Sequence, residues 1–180
     1  MDANQVTSST TTKVTSEKKC KDQGKFPNGR IHHWNTLLNW IFLVAFSKYI
    51  VGGFTFLTDK HARVYFVCGH LSLNKAARHS SQQRMVGKSG KRGDQGGHII
   101  ACIFGGTGQS INMVPMCRSL NLSAWKKLEN RWAKALKAGS RVYVVVDLKY
   151  EKSSSSRRPC GLTARWSVDG GCTEIKEFTN

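Results

Sequence analysis

Short apolar runs separated by turn residues dominate the chain from residue 49 onward. Residues 49–57 and 63–68 are rich in Val, Phe and Tyr, and Thr58-Asp59-Lys60-His61-Ala62 between them reads as a hairpin turn. Residues 80–97 hold many Ser, Gly, Lys and Gln and predict a long surface loop that delivers the chain to His98. Residues 99–104 and 111–114 predict two strands around the tight connection Gly105-Gly106-Thr107-Gly108. Leu122, Trp125, Leu128, Trp132 and Leu136 recur at spacings of three and four with Gly139 just beyond, which predicts an amphipathic helix with a glycine stop. Residues 142–150 and 162–168 predict two further strands joined by the serines at 153–156. Asp169-Gly170-Gly171 then turns the chain into a short last strand. The pattern is α+β, with strand, strand, helix at its centre and His98 at the entrance.

The first 48 residues follow different rules. Eight of the ten positions 7–16 are Ser or Thr, and Lys18, Lys19, Lys21, Lys25 and Arg30 follow with few apolar neighbours. Such a segment buries too little surface to offset its ordering entropy. Residues 37–46 are apolar, but Lys48 and the glycines at 52 and 53 cut the run well short of the ~20 residues a membrane span needs. It also starts too far from Met1 for a secretory signal and suits a strand or helix entering the domain. The chain therefore divides into a basic tail and entry segment, 1–48, and a domain, 49–180. No membrane contact is expected.

Charge narrows the partners. The formal net charge is +17, from 28 Lys and Arg against 11 acids, which suits a polyanion. No acid lies between Asp59 and Asp94, whereas Lys60, Arg63, Lys75, Arg78, Arg84, Lys88, Lys91 and Arg92 all do. That basic tract leads straight to Asp94-Gln95-Gly96-Gly97-His98-Ile99-Ile100, followed by Asn112 fourteen residues after His98, Asn121 nine further and Glu129 eight further. A histidine can take a proton from water beside a phosphate, and an Asn at a helix start can offer a divalent cation a neutral oxygen. The combination reads as a metal-assisted phosphodiester nuclease.

The strings Gln83-Arg84-Met85-Val86-Gly87-Lys88, Asp94 through Ala101, Phe104-Gly105-Gly106, Ile111-Asn112-Met113-Val114-Pro115-Met116 and Asn121-Leu122-Ser123-Ala124-Trp125-Lys126-Lys127-Leu128-Glu129 resemble the DNA/RNA non-specific endonucleases of the ββα-metal superfamily. The match is to the branch whose histidine follows two glycines, frequent in exported bacterial nucleases and polymorphic toxin domains, and it covers about residues 49–170. The resemblance implies a ββα-metal core with surrounding antiparallel sheet, acting on both DNA and RNA to leave 5′-phosphate and 3′-hydroxyl ends. It assigns His98 as general base, Asn121 as the one protein ligand of Mg²⁺, with Mn²⁺ able to replace it, and Glu129 as a carboxylate holding metal-bound water. Asn112 would orient the histidine loop or substrate. Arg84, and after it Arg78, would bind the scissile phosphate, with Lys88 on the same substrate-facing tract. Eight helical residues rise about 12 Å, too far for Asn121 and Glu129 both to be inner ligands of one ion. Glu129 leans back toward the helix start and can reach a metal-bound water.

One position departs from the family pattern: three before the histidine an acid is usual, and here Gln95 stands with Asp94 displaced by one. An amide supplies no negative charge to support histidine basicity, unless Asp94 substitutes. Gln95 thus favours an alternative, a binding module that has lost the chemistry. The Lys-rich tail would suit a second, a sequence-specific endonuclease on the same core. The cysteines at 20, 68, 102, 117, 160 and 172 lack CxxC spacing, and no histidine pairing among His32, His33, His61, His70 and His79 reads as a zinc site. Cys102 and Cys117 are expected as buried thiols, and Cys160 with Cys172 as a hairpin disulfide in an oxidising place. A nuclease of this breadth endangers its producer. Export or delivery as an effector is therefore favoured over cytoplasmic residence, with an acidic inhibitor or immunity protein over the basic cleft.

Overall fold

The computed structural model describes the backbone of residues 31–33 and all of residues 43–180, so the expectations for residues 1–30 and for most of the apolar segment 37–46 lie outside the described residues. In chain order the elements are β1 (Ile31–His33), β2 (Lys48–Val51), β3 (Phe54–Thr58), β4 (Val64–His70), α1 (Ser80–Lys88), β5 (Asp94–His98), β6 (Met113–Cys117), α2 (Trp125–Lys137), β7 (Val142–Lys149), β8 (Gly161–Val168) and β9 (Glu174–Thr179). Seven strands form one sheet in the order β1-β2-β3-β4-β7-β8-β9, antiparallel except where β1 runs parallel to β2. The sheet thus begins upstream of residue 49. β5 and β6 form a separate antiparallel ribbon. Ribbon plus α2 makes a strand, strand, helix core, but its first strand is Asp94–His98 rather than the run 99–104 expected to supply it. Among the described residues no helix is long and apolar enough to cross a membrane.

The run at 49–57 is two strands rather than one. Gly52 and Gly53 take φ of +59° and +82°, a conformation open to glycine, and fold β2 back on β3 with Tyr49 opposite Phe56. The expected turn at 58–62 is present. Asp59 holds it by accepting the amides of His61 and Arg63 and pairing with the Arg63 guanidinium.

Residues 80–97 correct the expectation of a loop, because they form α1 and β5. The buried face of α1 is Gln82, Val86 and Gly87, so its inward side carries one large apolar residue and no helical stripe shows in the sequence. Backbone approach replaces apolar bulk. A Cβ on Gly96 would stand 2.2 Å from the carbonyl oxygen of Gln83, and one on Gly87 would stand 2.9 Å from the Gly96 amide nitrogen. Polar clamps complete the contact: Gln83 Nε2 donates to Gly96 O, and Gln82 Oε1 accepts the Ser110 amide.

The two strands expected around the glycine connection are also altered. Cys102–Phe104 and Ser110–Asn112 are 3₁₀ turns, and the strand is Met113–Cys117. Ile99, Ile100, Phe104 and Ile111 are nevertheless fully buried, so the apolar signal reported core membership rather than extended backbone. The glycine stop at Gly139 is present, with φ of +86°. A π-helical turn, Leu120–Ala124, precedes α2 and rotates Leu122 off the stripe to 55% exposure. Trp125 and Trp132 are core, their rings edge to face at 6.1 Å, with Trp166 of β8 6.0 Å from Trp132. That aromatic chain seats α2 on the sheet.

Two polar ties dock the ribbon beside the sheet. Asp94 forms a two-pronged pair with Arg158, and Asn180 accepts the Cys117 amide while donating to Pro115 O and Pro159 O. Cys160 and Cys172 are both free thiols, contrary to the hairpin disulfide expected. They flank opposite ends of β8, whose eight residues separate them by roughly 26 Å of strand. Replacing Gly96→Ala is expected to lower stability by about 1–3 kcal/mol through overpacking against α1, read as a reduced urea midpoint at unchanged m-value. A midpoint equal to that of the parent would show that α1 can withdraw freely.

Candidate active site

His98 ends β5 opposite Met113, where the ribbon ladder stops. Beyond it Asn112 takes over. Its backbone carbonyl accepts the Ile99 amide, its Oδ1 accepts the Ile100 amide, and its Nδ2 donates to Ile100 O and Thr107 O. With 0% exposure Asn112 cannot touch a substrate, so of its two expected roles the one compatible with its place is orienting the histidine loop.

The His98 side chain, 9% exposed, lines a cleft of about 220 Å³ together with Arg78, Gln83, Cys102, Asn121, Lys126 and Glu129. Burial, and next the charge of Arg78, push its pKa down to about 4. The imidazole is therefore neutral at physiological pH and can accept a proton. Its Nε2 lies 3.4 Å from Cys102 Sγ.

Asn121 sits in the π-helical turn, and its amide does not cap the helix. Nδ2 donates to Gln95 Oε1 at 2.7 Å. That bond fixes the amide plane and leaves Oδ1 as the group available to a cation. Gln95 therefore meets Asn121, and Asp94 is no substitute acid beside the histidine, because its side chain is 3% exposed and committed to Arg158. Glu129 lies on the buried face of α2 at 8% exposure. Burial pushes its carboxyl up, while Lys126, 3.3 Å away, and Arg78 pull it back.

The two arginines separate. Arg78 is held by a parallel bridge to Gly108, whose added Cβ would strike Ala77 O at 2.2 Å, and this tether places it in the histidine cleft. Arg84 and Lys88 lie on α1 and line a wider neighbouring groove of about 690 Å³ with Lys91 and Arg92. The groove and the cleft share Gln83, Asn121 and Leu122, so they are continuous. Of the expected site residues, His98, Asn121, Glu129 and Arg78 converge. Sequence reading missed Gln83, Cys102 and Lys126. The position of Lys126, one turn before Glu129, was the one usable signal among them.

The donors suit a hard divalent cation. An amide oxygen and a carboxylate face one cleft, and Mg²⁺ prefers oxygen ligands and retains water. Among the described residues no three His, Cys, Asp or Glu side chains cluster as a metal site. A cation here would rest on one protein oxygen, water and substrate.

Residues 46–169 match the DNA/RNA non-specific endonuclease family. The type VII secretion system protein EssD of Staphylococcus aureus, in strains USA300 and NCTC 8325 / PS 47, is 32% identical over 126 residues, which cover 66% of this chain and 20% of EssD. The chain thus spans about a fifth of that relative's length. The crystal structure of NucA from Streptococcus agalactiae with no metal bound shares the fold, with a TM-score of 0.54 at 15% identity, over 81% of this chain and 76% of NucA. With the family match running through the Gly-Gly-His strand, the ribbon and α2, the chain belongs to the DNA/RNA non-specific endonuclease family.

Proposed function

We propose that this protein hydrolyses phosphodiester bonds of both DNA and RNA by in-line attack of water, with His98 as general base. The observation that carries this reading is a buried, neutral imidazole sharing one small cleft with Asn121, Glu129 and Arg78. His98 takes a proton from the attacking water. Arg78 holds a non-bridging oxygen of the scissile phosphate, a role sequence position had offered first to Arg84. Asn121 Oδ1 and, through water, Glu129 are the groups that would hold Mg²⁺ or Mn²⁺. Bound there, the ion would stabilise charge on the phosphate and the leaving oxygen. Arg84 and Lys88 bind flanking phosphates along the continuous groove, and cleavage leaves a 5′-phosphate. Gln95 had favoured a binding module without chemistry; its bond to Asn121, which leaves Oδ1 for a cation, supports the catalytic reading instead.

The same basic groove suits an acidic inhibitor that shields the producing cell. Similarity to a type VII secretion system protein supports delivery of this domain outside that cell.

On supercoiled plasmid and total RNA, Mg²⁺-dependent smearing is expected and EDTA abolishes it. His98→Ala is expected to lower the rate by about 10²–10⁴-fold. A His98→Ala protein that cleaves at the parental rate would remove the mechanism.

The acid limb of kcat/KM is expected well below 6.5, because the neutral form of His98 persists toward its pKa of about 4. Arg78→Ala removes a cation that disfavours the imidazolium, so the limb moves to higher pH; a limb that stays in place contradicts the contact. With its folded-state pKa below 6.5, His98 makes the protein less stable as pH falls from 6.5 toward 4, since the unfolded chain binds the proton first.

Arg84→Ala/Lys88→Ala is expected to flatten the salt dependence of binding to a 20-nucleotide strand, with the log–log slope reduced by about one unit or more. The same variant is expected to lose an acidic partner captured from producing cells. Unchanged slopes would remove the groove from the substrate path.

A further inference from the structure

A histidine serves as base through only one ring nitrogen, and the partner of the other decides which. Nδ1 of His98 has no hydrogen-bond partner among the described residues and is not a sealed, unpaired atom, so it opens to the cleft that the ring lines. Nε2 faces Cys102 Sγ at 3.4 Å. Cys102 is 1% exposed and is fixed at the start of the 3₁₀ turn Cys102–Phe104. Its thiol has a different acceptor for its own hydrogen, because Sγ donates to Ala77 O at 4.0 Å. The sulfur lone pairs are thereby left for Nε2–H.

We infer that Cys102 is a positioning residue whose sulfur accepts Nε2–H of His98 and so holds the imidazole in the tautomer that presents an unprotonated Nδ1 to the attacking water. The opposite polarity, with the thiol donating to Nε2, would place the hydrogen on Nδ1 and leave the cleft without a base. The Ala77 carbonyl opposes that polarity. Arg78 does so as well, since its guanidinium also approaches the sulfur and favours lone pairs over S–H in its direction. Burial keeps the thiol protonated, so it retains the hydrogen it gives to Ala77. The other charged groups around His98 are Lys126 and Glu129 from α2, which share the cleft and contact each other. This sulfur contact takes the place of the supporting acid that Gln95 does not supply. The inference rests on the reading of His98 as general base.

The test compares the parent with Cys102→Ala, Cys102→Ser and His98→Ala, all checked for equal melting temperature, on plasmid in Mg²⁺. It is paired with imidazole ¹⁵N–¹H correlation spectra at neutral pH. Cys102→Ala is expected to lower kcat by about tenfold with KM changed less than about twofold, and to show His98 as a mixture of tautomers. Cys102→Ser keeps an acceptor and is expected to retain the Nε2–H tautomer and most of the rate. Parental kcat and an unchanged tautomer in Cys102→Ala would overturn the role of Cys102. A fully active His98→Ala would overturn the base assignment, while the tautomer spectra would still report whether Cys102 sets the ring's protonation.

Discussion

Asn112 closes the gap left where two strands stop pairing. At His98 the ribbon ladder ends and the chain bends at Ile99 and Ile100, both buried, so their backbone groups need other partners. The Asn112 backbone carbonyl accepts the Ile99 amide, and its side-chain amide then takes over, accepting from Ile100 N–H and donating to Ile100 O and Thr107 O. Each buried backbone group left unpaired would cost about 1–3 kcal/mol, so the clamp is held tightly. The Thr107 bond also fixes the glycine connection, and Gly108 in turn carries Arg78. One buried amide thus ties together the segments that carry His98 and the arginine beside it.

The electrostatics follow from where that clamp puts the ring. Nearly sealed and beside a guanidinium, His98 is held neutral, at the cost of the basicity that an adjacent carboxylate would have added. Glu129 experiences the reverse problem, a buried carboxyl pushed up and restrained by Lys126 and Arg78. The cleft therefore pairs a neutral imidazole with a partly compensated carboxyl. Basic residues gather in the groove outside, where exposed phosphates of a substrate strand would lie.

Several of these features were legible in the sequence and others were not, for physical reasons. The period of Trp125, Leu128 and Trp132 declared α2, and Gly-Gly-His with Asn121 and Glu129 pointed to residues that the fold does bring to one cleft, because bulk and spacing leave a mark on sequence. α1 left no such mark, since it packs through Gly87 against Gly96 and through the amides of Gln82 and Gln83. The π-helical turn that exposes Leu122 is invisible to a count of threes and fours. Arg84 stands nearer to His98 in the chain than Arg78 does, yet α1 carries it to the neighbouring groove while a bridge to Gly108 brings Arg78 in. Cys102 could be read as a buried thiol, but its contact with Nε2 depends on a turn that the apolar run had disguised as a strand.

The central claim is that α2 and the ribbon set a divalent cation on Asn121 in the same cleft as the neutral base. Anomalous diffraction from crystals of the full chain grown with Mn²⁺ tests it directly. The account predicts a single strong peak beside Asn121 Oδ1, with Glu129 on the far side of a bound water and His98 free of the ion, and loss of that peak in Asn121→Ala. A peak coordinated by His98 itself, or none in the cleft at saturating Mn²⁺, would contradict it.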